Sequence, residues 1–184
     1  MTRLWLVRHG PTHARRLVGR TDLPADLSDR AALSRLSDAL PPAPIVSSDL
    51  VRASATADAI QDARSRLDPD PAFREFDYGE WEDRPFEAFD GPLSRAFFER
   101  PGDVRPPGGE SWTDVHRRVT AALSRYADHD ELILVCHFGV ILVLWADAAR
   151  LDPADALMQP IRNLSVTRID WGRDPAPHWV DHVA

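Results

Sequence analysis

The chain has 184 residues, 43% of them hydrophobic and 28% charged, with a formal net charge of −7 and a single cysteine, Cys136. That composition is ordinary for a soluble globular protein with one sizeable core. It excludes an internal disulfide, contains no apolar run near the roughly 20 residues of a membrane span, and argues against nucleic acid or an anionic membrane as the main partner.

All 22 basic residues are arginines, a bias that reflects coding-DNA composition and still rules out chemistry dependent on lysine, such as a Schiff base or a P-loop. The stretch Met1 to Arg8 is too short between its charges to be a secretory signal, so a reducing cytoplasm is the expected compartment. Nothing in the chain suggests an internal repeat or a dividing linker, and residues 1–184 read as a single domain.

The first element is the apolar run Leu4-Trp5-Leu6-Val7, a buried strand that ends at Arg8-His9-Gly10-Pro11. Leu33, Leu36 and Leu40 stand at helical spacing within Ser28 to Leu40, and Pro41-Pro42 terminates that helix. Ile45 to Ser48 reads as a second strand. It leads into an alanine-rich helix from about Leu50 to Arg66, with Ser48 or Asp49 as its cap. From Asp68 to Gly109 the chain is irregular, with one or two short helices such as Pro92 to Arg100, then a Pro-Gly loop over residues 101–109.

Glu110 or Ser111 opens an amphipathic helix whose apolar face carries Trp112, Val115, Val119, Leu123 and Tyr126. Leu132 to Cys136 is the most continuous buried strand, and the run from Gly139 onward returns to helix. Ser165 to Trp171 and His178 to Val183 read as late, edge strands. Strands alternating with helices predict an α/β fold, a three-layer sandwich with a mostly parallel central sheet flanked by helices.

Two of the best strands end alike, one in Arg8-His9-Gly10 and the other in His137-Phe138-Gly139. Ligands of open α/β sheets sit outside the carboxyl ends of the strands, so two neighbouring strands of this kind would set two histidines across one crevice. Arg52, in the first turn of its helix, would aim a guanidinium at the same place. Arginines with histidines at strand ends make a site for an anion, above all phosphate. Taken singly, each is ordinary: a histidine after a strand is usually a hydrogen-bonded structural residue, and an arginine early in a helix is usually a surface charge.

The ordered set of motifs resembles the histidine phosphatase superfamily, with its phosphoglycerate mutase-like fold, over essentially the whole chain. The likeness is carried by Leu6 to Thr12, by Val46 to Ala57, by Arg74-Glu75 through Glu82, by Gly108 to Ser111 and by Val135 to Val140. Asn163 to Val166 is similar to the segment that opens the family's last strands. The resemblance implies a phosphohistidine formed on His9, phosphate oxygens gripped by Arg8, Arg52 and His137, and Glu75 as proton donor.

The chemistry of these residues agrees. A neutral imidazole is a good nucleophile toward phosphorus, and neighbouring arginines keep it unprotonated. Fixed cationic donors stabilise the charge on the transferred group. One carboxyl can protonate the leaving alkoxide and then deprotonate water, and the aromatic residues Phe73, Phe76, Tyr78 and Trp81 around Glu75 would raise its pKa. Candidate substrate-binding residues are Thr12, Arg15, Gly19, Arg20, Thr21 and Phe138.

The sequence departs from the family pattern at Pro11, where acidic or amide residues are common, and at Arg15, where asparagine is usual. Mutual repulsion of clustered guanidiniums favours an exposed Arg15.

Rival constellations fail on spacing. Cys136 lacks the arginine six positions on that a cysteine phosphatase needs, since Leu142 stands there, and it reads as a buried strand residue. Gly109 to Thr113 does not complete a Gly-x-Ser-x-Gly elbow. His178 and His182 lie on a predicted strand, where their spacing does not make a metal site. The expected function is therefore hydrolysis of a small-molecule phosphate ester without metal or cofactor, close to the α-ribazole-phosphatase-like branch through Gly19 to Pro24. The chain is compatible with a homodimer. A phosphoglycerate mutase and an inactive phosphate-binding module are the alternatives. Mutases of this family are longer, and a pure binder has no need of Glu75.

Overall fold

The computed structural model describes residues 1–184 and is built on one five-stranded sheet. The strands are β1 (Thr2–Arg8), β2 (Ile45–Ser47), β3 (Glu131–Cys136), β4 (Val166–Trp171) and β5 (Ala176–His182). Their order across the sheet is β2-β3-β1-β4-β5. Six α-helices accompany them: α1 (Arg30–Ala39), α2 (Val51–Ala59), α3 (Pro92–Glu99), α4 (Trp112–Leu123), α5 (Phe138–Ala149) and α6 (Pro153–Leu157).

The expectation of a mostly parallel sheet is corrected. β2, β3 and β1 are parallel, but β4 runs antiparallel to β1 and β5 antiparallel to β4. The connection after β3 is the cause. Helix α5 carries the chain back along the sheet, and residues 150–165, with α6 among them, return it to the carboxyl end of β1. There the Leu164 N–H donates to the Arg8 carbonyl at 3.0 Å. β4 therefore starts beside the end of β1, with Val166 opposite Val7, and can only run the other way. A tight turn then folds β5 against it.

Alternation along the strands separates two cores. Leu4, Leu6, Leu132, Leu134 and Cys136 face one side and join Val115, Val119 and most of α5. Val7, Ile133 and Val135 face the other side and meet Leu33 and Leu36 of α1 and Ala53 and Ala57 of α2. Both faces of the central strands are thus covered, which explains the unbroken apolar run at Leu132 to Cys136.

Helix boundaries follow from capping. The Asp29 side chain accepts from Ala32 N–H to start α1, and Ser111 with Asp114 forms a reciprocal capping box at the start of α4. The cap expected from Ser48 or Asp49 is corrected. Ser48 Oγ accepts only from the Leu50 N–H at 3.3 Å, one residue before α2 begins, and the N-cap residue Leu50 makes no side-chain cap. Instead Asp22, remote in sequence, accepts from the Val51 N–H at 2.7 Å, while Asp49 pairs with Arg74.

Helix α2 also ends earlier than its alanine content suggests. Arg64 turns back and donates to the carbonyls of Ser37, Leu40, Pro41 and Ile60. It satisfies the orphan carbonyls at the ends of α1 and α2 together. Tyr126, expected on the face of α4, lies in the 3-10 turn Ser124–Tyr126 that follows it. The short helix α6, capped by Asp152, was not expected. No helix is long and apolar enough to cross a membrane.

Candidate active site

The parallel pairing of β1 with β3 sets Arg8 opposite Cys136, so the residues just beyond each strand end, His9 and His137, come side by side. Their rings lie 5.1 Å apart, tilted by 60°. The His9 Nδ1 is 2.7 Å from the Gly10 carbonyl oxygen. A carbonyl only accepts, so Nδ1 carries the proton and Nε2 carries the lone pair. Burial pushes the His9 imidazole down to about 3, with the charges of Arg52 and Arg8 adding to this and the Gly10 carbonyl opposing it. The ring is neutral at physiological pH, and its Nε2 lone pair accepts from the Arg52 Nε–H at 3.3 Å.

The backbone that presents His9 is held from three directions. The Gly10 N–H donates to Thr56 Oγ1 at 3.0 Å, Asn163 Nδ2 donates to the His9 carbonyl at 2.8 Å, and His9 N–H donates to the Cys136 carbonyl at 3.1 Å. Leu164, which follows Asn163, adopts a positive φ of 59°. That left-handed backbone is costly for leucine, and its own N–H is spent on Arg8.

Arg52 is among the largest fully buried side chains, at 1% exposure. Its Nη groups donate to the carbonyls of Thr21 at 2.8 Å and Gly19 at 2.6 Å, and its Nε lies 3.3 Å from His9 Nε2. Those three contacts leave part of the five-donor guanidinium for an anion. Arg8 donates to the Ile161 carbonyl and lies 5.3 Å over the ring of Phe138, with its buried Nε unpartnered.

His137 is fully buried and neither ring nitrogen has a partner. Burial, with His9, Arg52, Arg118 and Arg8 adding, pushes its imidazole well below the usual range. Unpaired buried nitrogens of this kind are ready to meet an oxygen ligand. A phosphate dianion would reverse the local charge and let His137 donate.

Glu75 closes the site. Its carboxylate accepts from Gly139 N–H at 3.0 and 3.2 Å, at the start of α5, and from Phe76 N–H at 3.0 Å. Burial pushes the carboxyl above the usual carboxylate range, against the pull of those N–H groups and of Arg52 and Arg8. Arg8, His9, Thr12, Arg16, Arg52 and Glu75 line one small polar crevice of about 140 Å³.

The remaining candidates separate by position. Thr12 lines the crevice, and Phe138 lines an adjoining apolar cavity. Arg15 is exposed and outside the lining; its neighbour Arg16 takes that place, with 58% of its side chain exposed. Gly19, Arg20 and Thr21 do not line the crevice. Gly19 and Thr21 hold Arg52 through their carbonyls, and Arg20 Nε donates to the Glu75 carbonyl at 3.2 Å. Cys136 is buried, its thiol pushed up by that burial, and Ser111 is a helix cap. No group of three or more His, Cys, Asp or Glu side chains is arranged to hold a metal ion.

Several supporting residues escaped the sequence reading. Glu82 accepts from the N–H groups of Gly19, Arg20 and Thr21 and from the Thr21 hydroxyl, and so fixes the loop that holds Arg52. Arg118 donates to the carbonyls of Ala72 and Glu75 and pairs with Glu110, which also meets Arg20. Glu82, at the end of the Arg74 to Glu82 motif, and Glu110, within Gly108 to Ser111, lay in stretches already singled out; nothing local marks Arg118.

The chain is similar to known proteins over nearly its whole length. A family model of the histidine phosphatase superfamily (branch 1) matches residues 4–180. The "Probable phosphoglycerate mutase GpmB" of Yersinia pestis is 30% identical over 195 residues, covering 98% of this chain and 91% of that protein. The crystal structure of TTHB049 from Thermus thermophilus is 32% identical, with a TM-score of 0.75 over 95% of this chain and 96% of that one. A "putative alpha-ribazole-5'-P phosphatase" of Escherichia coli is 22% identical, with a TM-score of 0.83 over 100% of this chain and 97% of that one, a likeness of fold.

Proposed function

The chain belongs to the histidine phosphatase superfamily, whose members are phosphatases and mutases, and we propose that it is a phosphomonoesterase that hydrolyses a small phosphorylated metabolite through a phosphohistidine on His9. One observation carries this reading. An unprotonated His9 Nε2, the buried guanidinium of Arg52, the half-buried one of Arg8 and a buried carboxyl of raised pKa share a single crevice.

In the first step Nε2 attacks phosphorus and the P–O ester bond breaks. Glu75 gives its proton to the departing alkoxide. Arg8, Arg52 and His137 hold the equatorial oxygens as charge shifts across the phosphoryl group. In the second step the Glu75 carboxylate takes a proton from water, the oxygen of that water attacks phosphorus, and the P–N bond breaks. Inorganic phosphate leaves, with His9 neutral and Glu75 protonated again.

Water rather than a second hydroxyl is the acceptor, because the crevice is open to solvent beside the largely exposed Arg16. The Gly19 to Pro24 stretch, similar to the α-ribazole-phosphatase-like branch, serves the phosphate clamp through Arg52. It supports the hydrolase side and leaves the alcohol to be read from another part of the site.

Rapid quench with labelled substrate tests the proposal. The expected adduct is stable to alkali and labile to acid, as a phosphoramidate is, and His9→Ala loses both the adduct and several orders of magnitude in turnover. An acid-stable adduct overturns the histidine mechanism. Efficient conversion of 3-phosphoglycerate to 2-phosphoglycerate in the presence of bisphosphoglycerate overturns the choice of hydrolase over mutase.

A further inference from the structure

Next to the phosphate crevice lies a second cavity of about 310 Å³ that none of the steps above uses. Eight of its ten lining residues are hydrophobic and none carries a charge. Phe76, Phe97 and Trp112 are buried in its floor, while Phe98, Phe138 and Met158 are more accessible.

Two residues join this cavity to the reacting groups. The Phe138 ring lines it and also carries the Arg8 guanidinium over its face. Gly139 lines it and donates its N–H to the Glu75 carboxylate. A Cβ on Gly139 would fall 2.5 Å from both Glu75 Oε1 and the Phe76 ring. The bare backbone at that point lets the proton donor and the apolar wall meet.

The leaving oxygen of a phosphate ester must reach Glu75, so the carbon skeleton behind that oxygen lies next to this cavity. We propose that the cavity receives the leaving group, and that the enzyme acts on phosphate monoesters of uncharged, aromatic alcohols of one or two rings. This rests on the reading of His9 and Glu75 given above.

The volume is at the lower end of ligand pockets, enough for such a group. A carboxylate or second phosphate on the alcohol would find no counter-charge among the lining residues and would be desolvated against aromatic rings. An aromatic ring is favoured over an alkyl chain by the surrounding geometry. Phe97 already meets Phe76 and Phe98 edge to face, at 6.1 Å and 90° and at 4.9 Å and 88°, and a further ring extends the same packing. Met158 adds a polarizable sulfur.

The test compares 2-(1-naphthyl)ethyl phosphate with ethyl phosphate. Both leave as primary alcohols of similar basicity, so the demand on Glu75 is matched and only the apolar group differs. The expected kcat/KM ratio is on the order of 10²-fold in favour of the naphthyl ester, as burial of a two-ring group implies. Met158 is 82% exposed, so Met158→Asp places a charge in the cavity wall without touching the core. It should lower that ratio at least tenfold, and a ratio measured within one preparation is insensitive to the fraction of active enzyme.

Hydrolysis of both esters at equal kcat/KM, or a ratio unmoved by Met158→Asp, overturns the pocket while leaving the reaction intact. Hydrolysis of neither ester overturns the reaction. Calorimetry with the matching naphthylethyl and ethyl phosphonates then decides the pocket alone: tighter binding of the naphthyl compound by tenfold or more supports it, and equal binding overturns it.

Discussion

Replacing Glu75 by glutamine removes the proposed proton donor while keeping its volume, and the structure sets what should follow. The carboxyl is 5% exposed and accepts from Gly139 and Phe76 N–H. A glutamine amide oxygen can keep the contact made by one carboxylate oxygen, while its NH₂ loses the other, a loss on the order of 1 kcal/mol. Removing an ionisable group that burial disfavours offsets this, so the fold should survive.

Chemistry should not be spared. An alkyl alcohol has a pKa far above that of a carboxylic acid and must be protonated as it leaves, so its phosphate should react roughly 10²–10⁴-fold more slowly. At about 1.36 kcal/mol per decade this is about 3 to 5.5 kcal/mol of transition-state stabilisation. p-Nitrophenyl phosphate needs no such help in its first step. It should show a burst of nitrophenol and then a slow steady state, because water activation at phosphorylated His9 is lost as well. In the wild type, the rate should fall as pH rises through the raised pKa of Glu75 and as pH falls toward the His9 value of about 3. Glu75→Gln should abolish the first limb and keep the second. Stopped-flow release of nitrophenol beside steady-state hydrolysis of an alkyl phosphate gives all of these. Equal losses on both substrates, with no burst and an unchanged pH profile, would refute the assignment. Asp77 or Glu80 would then have to enter a crevice that neither lines.

Arg118→Met removes the donors to the Ala72 and Glu75 carbonyls, so kcat for alkyl phosphates should fall about tenfold with KM little changed, as expected for a misplaced proton donor. Equal kcat with reduced stability would show that Arg118 only braces the fold. His9 and His137 are both held below the ordinary histidine pKa by burial. The unfolded chain therefore binds protons that the folded one does not, and stability present above about pH 6.5 is lost as pH falls, by up to about 1.4 kcal/mol per unit for each ring. Glu75, shifted the other way, opposes this only below its own raised pKa. Urea unfolding between pH 7 and 5 should show the slope, and His137→Asn should reduce it by about half; an unchanged slope refutes the account. Activity should survive excess EDTA and be inhibited competitively by vanadate, since in the proposed reaction arginines and His137 take the place of a metal at the phosphoryl oxygens. Recovery of an EDTA-treated enzyme only on adding zinc or magnesium would contradict that.

Much of this protein is legible in local pattern. The apolar runs at Leu4 to Val7 and Leu132 to Cys136 are buried strands because burial on both faces of a central strand demands continuous hydrophobicity, whatever the rest of the chain does. Arg8-His9-Gly10 and His137-Phe138-Gly139 stand at the ends of those strands for the same reason, since the apolar run stops where the polar residues begin. Capping is equally local at α4, where Ser111 and Asp114 lie within one turn.

What the tertiary structure decided depends on segments far apart in the chain. Asp22 caps α2 across 29 residues, Arg64 ends α1 and α2 together by reaching back to Ser37, and Arg118 holds Glu75 across 43 residues. A single partner of that kind leaves no periodicity to read. The reversal of β4 and β5 depends on where residues 150–165 bring the chain back, and the choice of Arg16 over Arg15 depends on which way one short loop turns. The apolar cavity beside Glu75 gathers residues from 76 to 158. Each of these looks in sequence like an ordinary core or surface residue, because hydrophobic burial is non-directional and names no partner, and only the packed fold brings them to one place.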